Sequence, residues 1–215
     1  MSLIGRHRFA LELILQELEL KKPLRILDVG CHEGEFIATL QKHVRNVSFF
    51  GIDVNREAIR KARDKVCGQF YIMPAENMTF PANYFDFVLA LDVIEHVSYL
   101  HKSIHQIHRV LRRGGVLILS VPYFHPLSNL LDPGWLEGKH KHFKFNELVK
   151  LMSLHGFEIE KAKTYGAFFH VLDLWEYLVF SKIRIDPPKI FAKLAEFEDN
   201  MTGGWWGVVL KARKI

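Results

Sequence analysis

Two glycines and a carboxylate are spaced as they are in a nucleotide-binding crevice. Gly30 and Gly34 follow a short apolar strand, residues 26–29, which carries Asp28, and a helix with apolar residues at helical spacing begins after Gly34. Glycines let a ligand approach the backbone, and the N-terminus of a helix supplies free N–H groups. Asp53 ends the next predicted strand, about 20 residues after Gly30, where a carboxylate can accept hydrogen bonds from both ribose hydroxyls.

The same region argues against a dinucleotide such as NAD. The dinucleotide fingerprint is Gly-x-Gly-x-x-Gly, and its middle glycine is absent here. Glu33 and Glu35 flank the start of the helix, where two carboxylates would repel a pyrophosphate but tolerate a ligand with a cationic end, such as a sulfonium. Two alternatives stay open: a strand-turn-helix unit without a ligand, and Asp53 as the N-cap of the helix that begins at Arg56.

Three segments, in order along the chain, resemble the motifs of one enzyme family. Residues 27–34 (LDVGCHEG) resemble motif I of class I S-adenosylmethionine (SAM)-dependent methyltransferases. Residues 74–80 (PAENMTF) resemble the family segment Asp-Ala-Glu-Asn-Leu-Pro-Phe, which lines the adenine, and residues 92–97 (DVIEHV) resemble the Glu-His-Val signature that follows strand four in many small-molecule methyltransferases. The resemblance covers about residues 24–160. It implies a Rossmann-like fold, SAM as the cofactor and S-adenosylhomocysteine (SAH) as its product.

The resemblance also implies which residues contact SAM. They lie in the glycine turn, at the ends of strands two and four and in the segment after strand three: Asp28, Gly30, Cys31, Gly34, Asp53, Val54, Ala75, Glu76, Leu91 and Asp92. One position departs from the family, since Pro74 replaces the aspartate that accepts a hydrogen bond from the adenine amino group. Recognition of the adenine must then fall to the backbone around Ala75, to Glu76 or to water.

The end of the fourth predicted strand carries three groups suited to chemistry, Asp92, Glu95 and His96. A neutral imidazole accepts a proton near pH 7, so His96 is the predicted general base, with Glu95 or Asp92 orienting it. A divalent cation held by all three side chains is a competing hypothesis, and capping of the next helix is a third. The histidines at 101, 105 and 108 have metal-ligand spacing but are typical of a solvated face, and no metal site is predicted.

The acceptor is predicted to be a small molecule. The end of strand four lacks the Asp/Asn-Pro-Pro-Tyr sequence that the family uses on exocyclic base amines, so nucleic acid is not expected despite a net charge of +5. The prediction is an oxygen nucleophile on an anionic or aromatic molecule, and the alternative is a module that binds a partner without catalysis. The apolar stretch 168–180 could roof the pocket, pair with another subunit or contact a membrane surface.

The alternation of predicted strands and helices indicates an α/β fold with a doubly wound, mostly parallel sheet flanked by helices. Hydrophobic residues make up 49% and charged residues 25% of the chain, and residues 1–215 are predicted to form one domain. A leading helix is predicted within residues 1–22, and the segments 123–143 and 166–200 are predicted to be lid insertions after strands five and six. Two cysteines without a disulfide framework favour the cytoplasm.

Overall fold

The structure, a computed structural model, describes residues 6–17, 24–138, 141–166, 172, 204 and 206–215. The helices are α1 (Arg6–Glu17), α2 (Glu35–His43), α3 (Arg56–Lys65), α4 (Leu100–Val110), α5 (Pro126–Leu131), α6 (Pro133–Leu136) and α7 (Phe145–Leu154). The strands are β1 (Leu24–Val29), β2 (Val47–Asp53), β3 (Gln69–Ile72), β4 (Phe85–Leu91), β5 (Leu111–Pro122), β6 (Phe157–Tyr165) and β7 (Gly207–Lys214).

These strands form one sheet in the order β3-β2-β1-β4-β5-β7-β6. All neighbouring strands are parallel except β7, which runs antiparallel to both β5 and β6. The prediction of an α/β fold with a doubly wound, mostly parallel sheet is confirmed. The strand order reverses between β1 and β4, and such a reversal leaves a crevice at the carboxyl ends of the strands.

Both faces of the central strands are buried under helices. Along β4, Val88 and Ala90 belong to one hydrophobic cluster, whereas Phe87 and Leu89 belong to the other. The alternation arises because successive side chains of a strand point to opposite faces of the sheet. A strand covered on both faces has a continuous apolar sequence, which is why β4 was predictable over its whole length.

Helix α1 lies against β5 and β7, and charged side chains hold it at both ends. At its C-terminal end, Glu17 pairs with Lys211 and Arg213 of β7. Near its N-terminal end, Arg6 Nε lies 2.9 Å from Asp92 Oδ2, at the carboxyl end of β4. The helix therefore reaches from the far end of the sheet to the edge at which the crevice opens.

The segment 123–143 leaves the end of β5 and contains the short helices α5 and α6. Its first and last residues form an isolated β-bridge. Between them His142 is buried, with Nδ1 2.7 Å from Asn129 Oδ1 and Nε2 3.2 Å from Asp132 Oδ2. The described part of the segment is thus packed together at the carboxyl end of β5, and its function as a lid stays a prediction.

Apart from residues 166 and 172, the second predicted lid, 166–200, lies outside the described residues, and so does nearly all of the apolar stretch 168–180. Among the residues that the structure does describe, no helix has the length and hydrophobicity to cross a membrane. The organisation of residues 1–215 as one domain also stays a prediction.

The ion pairs around β7 predict how stability depends on pH. Glu160 of β6 pairs with Lys211 and Arg213, the same two residues that hold Glu17. The hydrogen bond from Arg213 lowers the pKa of Glu160 from its ordinary 4.5 to about 2. Because the pKa is lower in the folded than in the unfolded chain, the ionised carboxylate stabilises the fold above about pH 4.5. This contribution is lost as the pH falls toward 2.

We therefore expect Glu160→Gln to lower the free energy of unfolding by about 1 kcal/mol at pH 7, as partly exposed ion pairs do. The variant should also lose less stability than the unmodified chain between pH 4.5 and pH 2, measured by urea denaturation at several pH values. Glu158→Gln, at an exposed position of the same strand, is the matched control and should change neither quantity. The same pH dependence in the Glu160 variant and the unmodified chain would contradict this account.

Candidate functional site

A cavity of about 560 Å³ opens at the carboxyl ends of β1, β2 and β4, beside the reversal in strand order. Its walls are formed by the turns after these strands and after β3, through Val29, Gly30, His32, Ile52, Asp53, Val54, Met73, Pro74, Ala75, Glu76, Asp92, Val93, His96, Val97 and Ser98. The predicted site residues on these walls are Gly30, Asp53, Val54, Ala75, Glu76, Asp92 and His96. The walls do not include the other predicted residues, Asp28, Cys31, Gly34, Leu91 and Glu95.

The glycine turn is joined to the end of β2 by backbone hydrogen bonds. The N–H groups of Gly30 and Cys31 both donate to Ile52 O, at 2.7 and 3.0 Å. The N–H of His32 donates to Asp53 Oδ2 at 2.9 Å. The turn and the carboxylate are therefore held at a fixed separation on one side of the cavity.

Asp53 directs its carboxylate to the cavity while its neighbour caps the following helix. Asn55 Oδ1 accepts hydrogen bonds from the N–H groups of Glu57 and Ala58, at 3.0 and 3.1 Å, so Asn55 is the N-cap of α3. The alternative that Asp53 is the cap is thereby excluded. Asp53 Oδ1 accepts from Asn55 N at 2.8 Å, and since a carboxylate has about four lone-pair sites, it can accept further hydrogen bonds from a ligand.

Glu33, one of the two carboxylates at the start of α2, pairs with lysines of α3. Glu33 Oε1 lies 2.9 Å from Lys61 Nζ, and Lys65 Nζ approaches Oε2 at 3.5 Å. Neither Glu33 nor Glu35 lies on the cavity walls. The lysines offset the charge of Glu33, which weakens the argument from repulsion, and the missing middle glycine becomes the main argument against NAD.

Asp28 and Cys31 lie behind the cavity walls. Asp28 is buried in β1, and burial together with the charge of Asp53 raises its pKa to about 8. Burial also raises the pKa of the Cys31 thiol, which packs in the hydrophobic cluster under α2 and α3. The side chain of Cys31 thus supports the turn from behind and does not face the cavity.

The segment after β3 forms the wall next to Asp53. Met73 N donates to Asp53 O at 3.0 Å, which ties the start of the segment to the end of β2. Glu76 Oε1 accepts a hydrogen bond from Ser98 N at 3.1 Å, which ties it to the turn before α4. The segment therefore bridges the cavity between the ends of β2 and β4.

Arg109 of α4 fixes the far end of this segment, although sequence analysis did not identify it. Its Nη1 donates to Phe80 O and its Nη2 to Met78 O, both at 2.7 Å, and its Nε donates to Gln106 Oε1 at 3.0 Å. A basic residue in the last turn of a helix is expected from the helix dipole alone. Nothing in its local sequence therefore distinguished Arg109 from a solvent-exposed arginine.

Asp92 has a φ of +54°, which non-glycine residues adopt only rarely. Both of its carboxylate oxygens are engaged. Ser120 Oγ donates to Oδ1 at 2.6 Å, and Arg6 Nε lies 2.9 Å from Oδ2. The backbone of Asp92 is held as well, since its N–H donates to Ser120 O at 3.1 Å. Helix α1 and strand β5 thus both position the carboxylate at the end of β4, and neither contact was predicted from sequence.

Glu95 and His96 are adjacent in sequence but do not form a hydrogen-bonded pair. His96 lines the cavity with a half-exposed side chain, whereas Glu95 is buried and neither of its carboxyl oxygens has a hydrogen-bond partner among the residues that the structure describes. Glu95 Oε1 lies 4.0 Å from His96 Nε2, which is too far for a hydrogen bond. The geometry therefore lacks the contact through which Glu95 was expected to orient His96. Burial and the charge of Asp92 raise the pKa of Glu95 well above 4.5, which favours its neutral form.

Within the described part of the chain, no group of three or more His, Cys, Asp or Glu side chains is arranged to hold a metal ion. Asp92 pairs with Arg6, and Glu95 does not line the cavity, so this arrangement does not favour a cation at these residues, and the competing hypothesis stays untested. In the histidine stripe on α4, His101 Nδ1 lies 3.0 Å from His155 Nε2.

Comparison with known proteins identifies the family. The sequence model of a family described as a methyltransferase domain matches residues 4–162. The chain belongs to this methyltransferase family. An uncharacterised protein of Methanocaldococcus jannaschii is 31% identical to it over 188 residues, which cover 87% of this chain and 73% of that protein. The ubiquinone/menaquinone biosynthesis C-methyltransferase UbiE of Neisseria gonorrhoeae is 26% identical over 189 residues, which cover 85% of this methyltransferase and 69% of UbiE.

A solved structure agrees with the family in its fold. A SAM-dependent methyltransferase of Thermotoga maritima, described as a possible histamine N-methyltransferase, superposes with a TM-score of 0.67 at 22% identity. The match covers 97% of this methyltransferase and 91% of the other chain. The predicted class I SAM-dependent methyltransferase with a Rossmann-like fold is therefore confirmed, and the family implies SAM as the cofactor.

Two features of this methyltransferase favour glycine at position 30, a positive φ and a close contact with Val93. Gly114 has only the first feature, so comparing the two positions distinguishes their effects. Gly30 has a φ of +72°, and a Cβ built on it would lie 2.4 Å from Val93 Cγ2. Gly114 has a similar φ of +69°, but no atom of the described residues lies within 4 Å of such a Cβ. We expect Gly114→Ala to lower the free energy of unfolding by about 1 kcal/mol, the cost of the left-handed conformation, and Gly30→Ala to lower it by about 2–4 kcal/mol.

Urea denaturation of the two variants measures this difference. Adding Val93→Ala to Gly30→Ala should recover the part of the loss that is due to the clash, but not the part due to φ. Equal losses at Gly30 and Gly114 would show that the turn is not packed against Val93 as described.

Proposed function

We propose that the cavity at the carboxyl ends of β1, β2 and β4 binds SAM, and that this methyltransferase moves the methyl group to an oxygen of a small-molecule acceptor. The observation that carries the proposal is the glycine turn hydrogen-bonded to Asp53, since a carboxylate at this position accepts hydrogen bonds from ribose hydroxyls. A volume of about 560 Å³ is within the range of small-molecule sites.

The residues on the walls suit the parts of SAM. Asp53 would accept hydrogen bonds from the ribose, and Val54 and Met73 would contact the adenine. Asp92, at the end of β4, and Asp28, behind the turn, supply negative charge for the ammonium and sulfonium groups. Burial raises the pKa of Asp28 to about 8, and a cation bound beside it would lower that pKa again.

When bound, SAM supplies a methyl group on a positively charged sulfur, so the main task of the protein is to position the acceptor. The wall formed by Asp92, Val93 and His96 is the part of the cavity at which β4 ends. Binding there would orient the acceptor in advance, so the translational and rotational entropy that a reaction in solution loses at its transition state would already have been lost on binding. Such positioning can lower a barrier by about 7–11 kcal/mol.

His96 is our proposed base for an acceptor that arrives as a hydroxyl. Its half-exposed ring lines the cavity, so it can accept the proton that the hydroxyl loses as its oxygen takes the methyl group. Glu95 does not suit this role, because it is buried and does not line the cavity, and burial raises its pKa and favours its neutral form. We assign to Glu95 a supporting role behind His96. The contribution of a general base is typically about 10²–10⁴-fold.

A carbon acceptor is the second candidate, favoured by the similarity to UbiE, which is named a C-methyltransferase. A non-catalytic module that binds a partner is the alternative to both, and the replacement at Pro74 is what supports it. Incubation with methyl-labelled SAM and a panel of phenols and quinols distinguishes the three. Label in an ether supports the oxygen acceptor, label on carbon supports the second candidate, and SAM binding without any transfer supports the module.

The nature of the acceptor and its location are also proposals. Arg6 brings a partly exposed guanidinium to the edge of the sheet beside Asp92, which supports an anionic or aromatic acceptor. Nucleic acid is not proposed as a substrate. We propose that the segments 123–143 and 166–200 cover the acceptor. We place the protein in the cytoplasm on the basis of its cysteine content.

Replacement of Asp53 tests the ribose assignment. Asp53→Ala should weaken SAH binding by about 1.5–3 kcal/mol, the range for hydrogen bonds to a charged group, in isothermal titration calorimetry. Asn55→Ala is the matched control, because Asn55 caps α3 at the same corner but does not line the cavity. It should cost about 1 kcal/mol of stability and leave the affinity for SAH unchanged. An unchanged affinity in the Asp53 variant would refute the assignment.

Replacement of His96 tests the proton transfer, once the labelled panel has supplied an acceptor. His96→Ala should lower turnover by about 10²–10⁴-fold. Glu95→Gln should lower it by less than about tenfold, because glutamine resembles the neutral acid and Glu95 makes no hydrogen bond to His96. Full turnover in the His96 variant would show that His96 is not the general base. Loss of activity in EDTA that magnesium restores would instead favour the cation hypothesis.

A further inference from the structure

The adenine end of the proposed SAM site lacks the acceptor that the family places there. Pro74 lines the cavity and has no polar side chain, and its carbonyl already accepts a hydrogen bond from Asn77 N at 3.2 Å. Adenine presents an amino group, N6, as a hydrogen-bond donor. An amino group that enters a cavity without finding an acceptor gives up its hydrogen bonds to water and weakens binding. A specific adenine site therefore needs another acceptor near Pro74.

Three carboxylates lie on the cavity walls, those of Asp53, Glu76 and Asp92. Asp53 is already assigned to the ribose, and both oxygens of Asp92 are held at the end of β4 by Ser120 and Arg6. Glu76 differs, because only its Oε1 is engaged, by Ser98 N at 3.1 Å, and within the described residues its Oε2 accepts no hydrogen bond. Glu76 also stands two residues after Pro74, on the same wall.

The carboxylate of Glu76 is held in place before any ligand arrives. The hydrogen bond from Ser98 N fixes the side chain at one oxygen. Arg109 fixes the following backbone through the carbonyls of Met78 and Phe80. An acceptor that is fixed in advance loses little conformational freedom on binding, and it therefore discriminates well between ligands.

We propose that Glu76 Oε2 accepts a hydrogen bond from the adenine amino group, and that Glu76 thereby replaces the missing aspartate as the residue that makes the site specific for adenine. The inference rests on the proposed function, since it assumes that SAM and SAH bind in this cavity. It assigns to this chain a contact that the family makes with a different residue.

An SAH analogue with an altered base tests the assignment by binding alone. In S-inosylhomocysteine a carbonyl oxygen replaces the amino group, so an acceptor on the ligand would face the acceptor on Glu76. We expect the unmodified protein to bind SAH about 10- to 100-fold more tightly than S-inosylhomocysteine in calorimetry. Glu76→Gln should reduce this ratio to about one or below, because a glutamine whose oxygen stays with Ser98 N presents its NH2 to the base, and this group can donate to the carbonyl but cannot accept from the amino group.

The variant is chosen to keep the fold of the segment, since glutamine retains an oxygen for Ser98 N. Asp53→Asn is the matched control. Asp53 lines the same cavity and is proposed to contact the ribose, which SAH and S-inosylhomocysteine have in common. The Asp53→Asn variant should therefore bind both ligands more weakly and leave the ratio of their affinities unchanged.

The outcomes separate the two proposals. If the unmodified protein binds neither ligand, the proposed function fails and this inference falls with it. If it binds SAH but does not discriminate, or if Glu76→Gln weakens both ligands equally and keeps the ratio, then Glu76 only supports the segment and the inference is overturned. A ratio that collapses in Glu76→Gln and persists in Asp53→Asn supports it.

Discussion

The site depends on the attachment of the glycine turn to the end of β2. Gly30 and Cys31 share Ile52 O as their acceptor, and the next N–H, that of His32, is taken by the Asp53 carboxylate. Gly30 has a left-handed backbone conformation here, and because it has no Cβ, Val93 can pack against the turn. Because β1, β2 and β4 are adjacent in the sheet, one attachment sets the distance between the turn, the carboxylate and the end of β4.

Much of this frame could be predicted from sequence because it depends on local patterns. Continuous apolar runs identify buried parallel strands such as β4, and a glycine that must adopt positive φ identifies the turn. The distance along the chain from Gly30 to Asp53 follows from the length of one helix and one strand. The order of the motifs then indicated the family, which the family match confirmed independently.

The contacts that position the site from a distance could not be predicted in this way. Arg109 holds the carbonyls of Met78 and Phe80, and Arg6 pairs with Asp92, across many residues of intervening chain. The resemblance to the Glu-His-Val signature led us to expect that Glu95 or Asp92 orients His96. In a turn, however, neighbouring side chains point in different directions, so one lies in the cavity and the other in the core. The ion pair between Glu33 and Lys61 could not be predicted from sequence either, because the two residues are distant along the chain.

The most direct test of the central claim is hydrogen exchange with and without SAH, followed by mass spectrometry. Our account predicts slower exchange in residues 30–34, 53–55 and 73–77, which form the turn and the adjoining walls, and no change in α7, which lies elsewhere on the sheet. SAH that binds in calorimetry but slows exchange only outside these three segments would place the cofactor elsewhere and contradict the account.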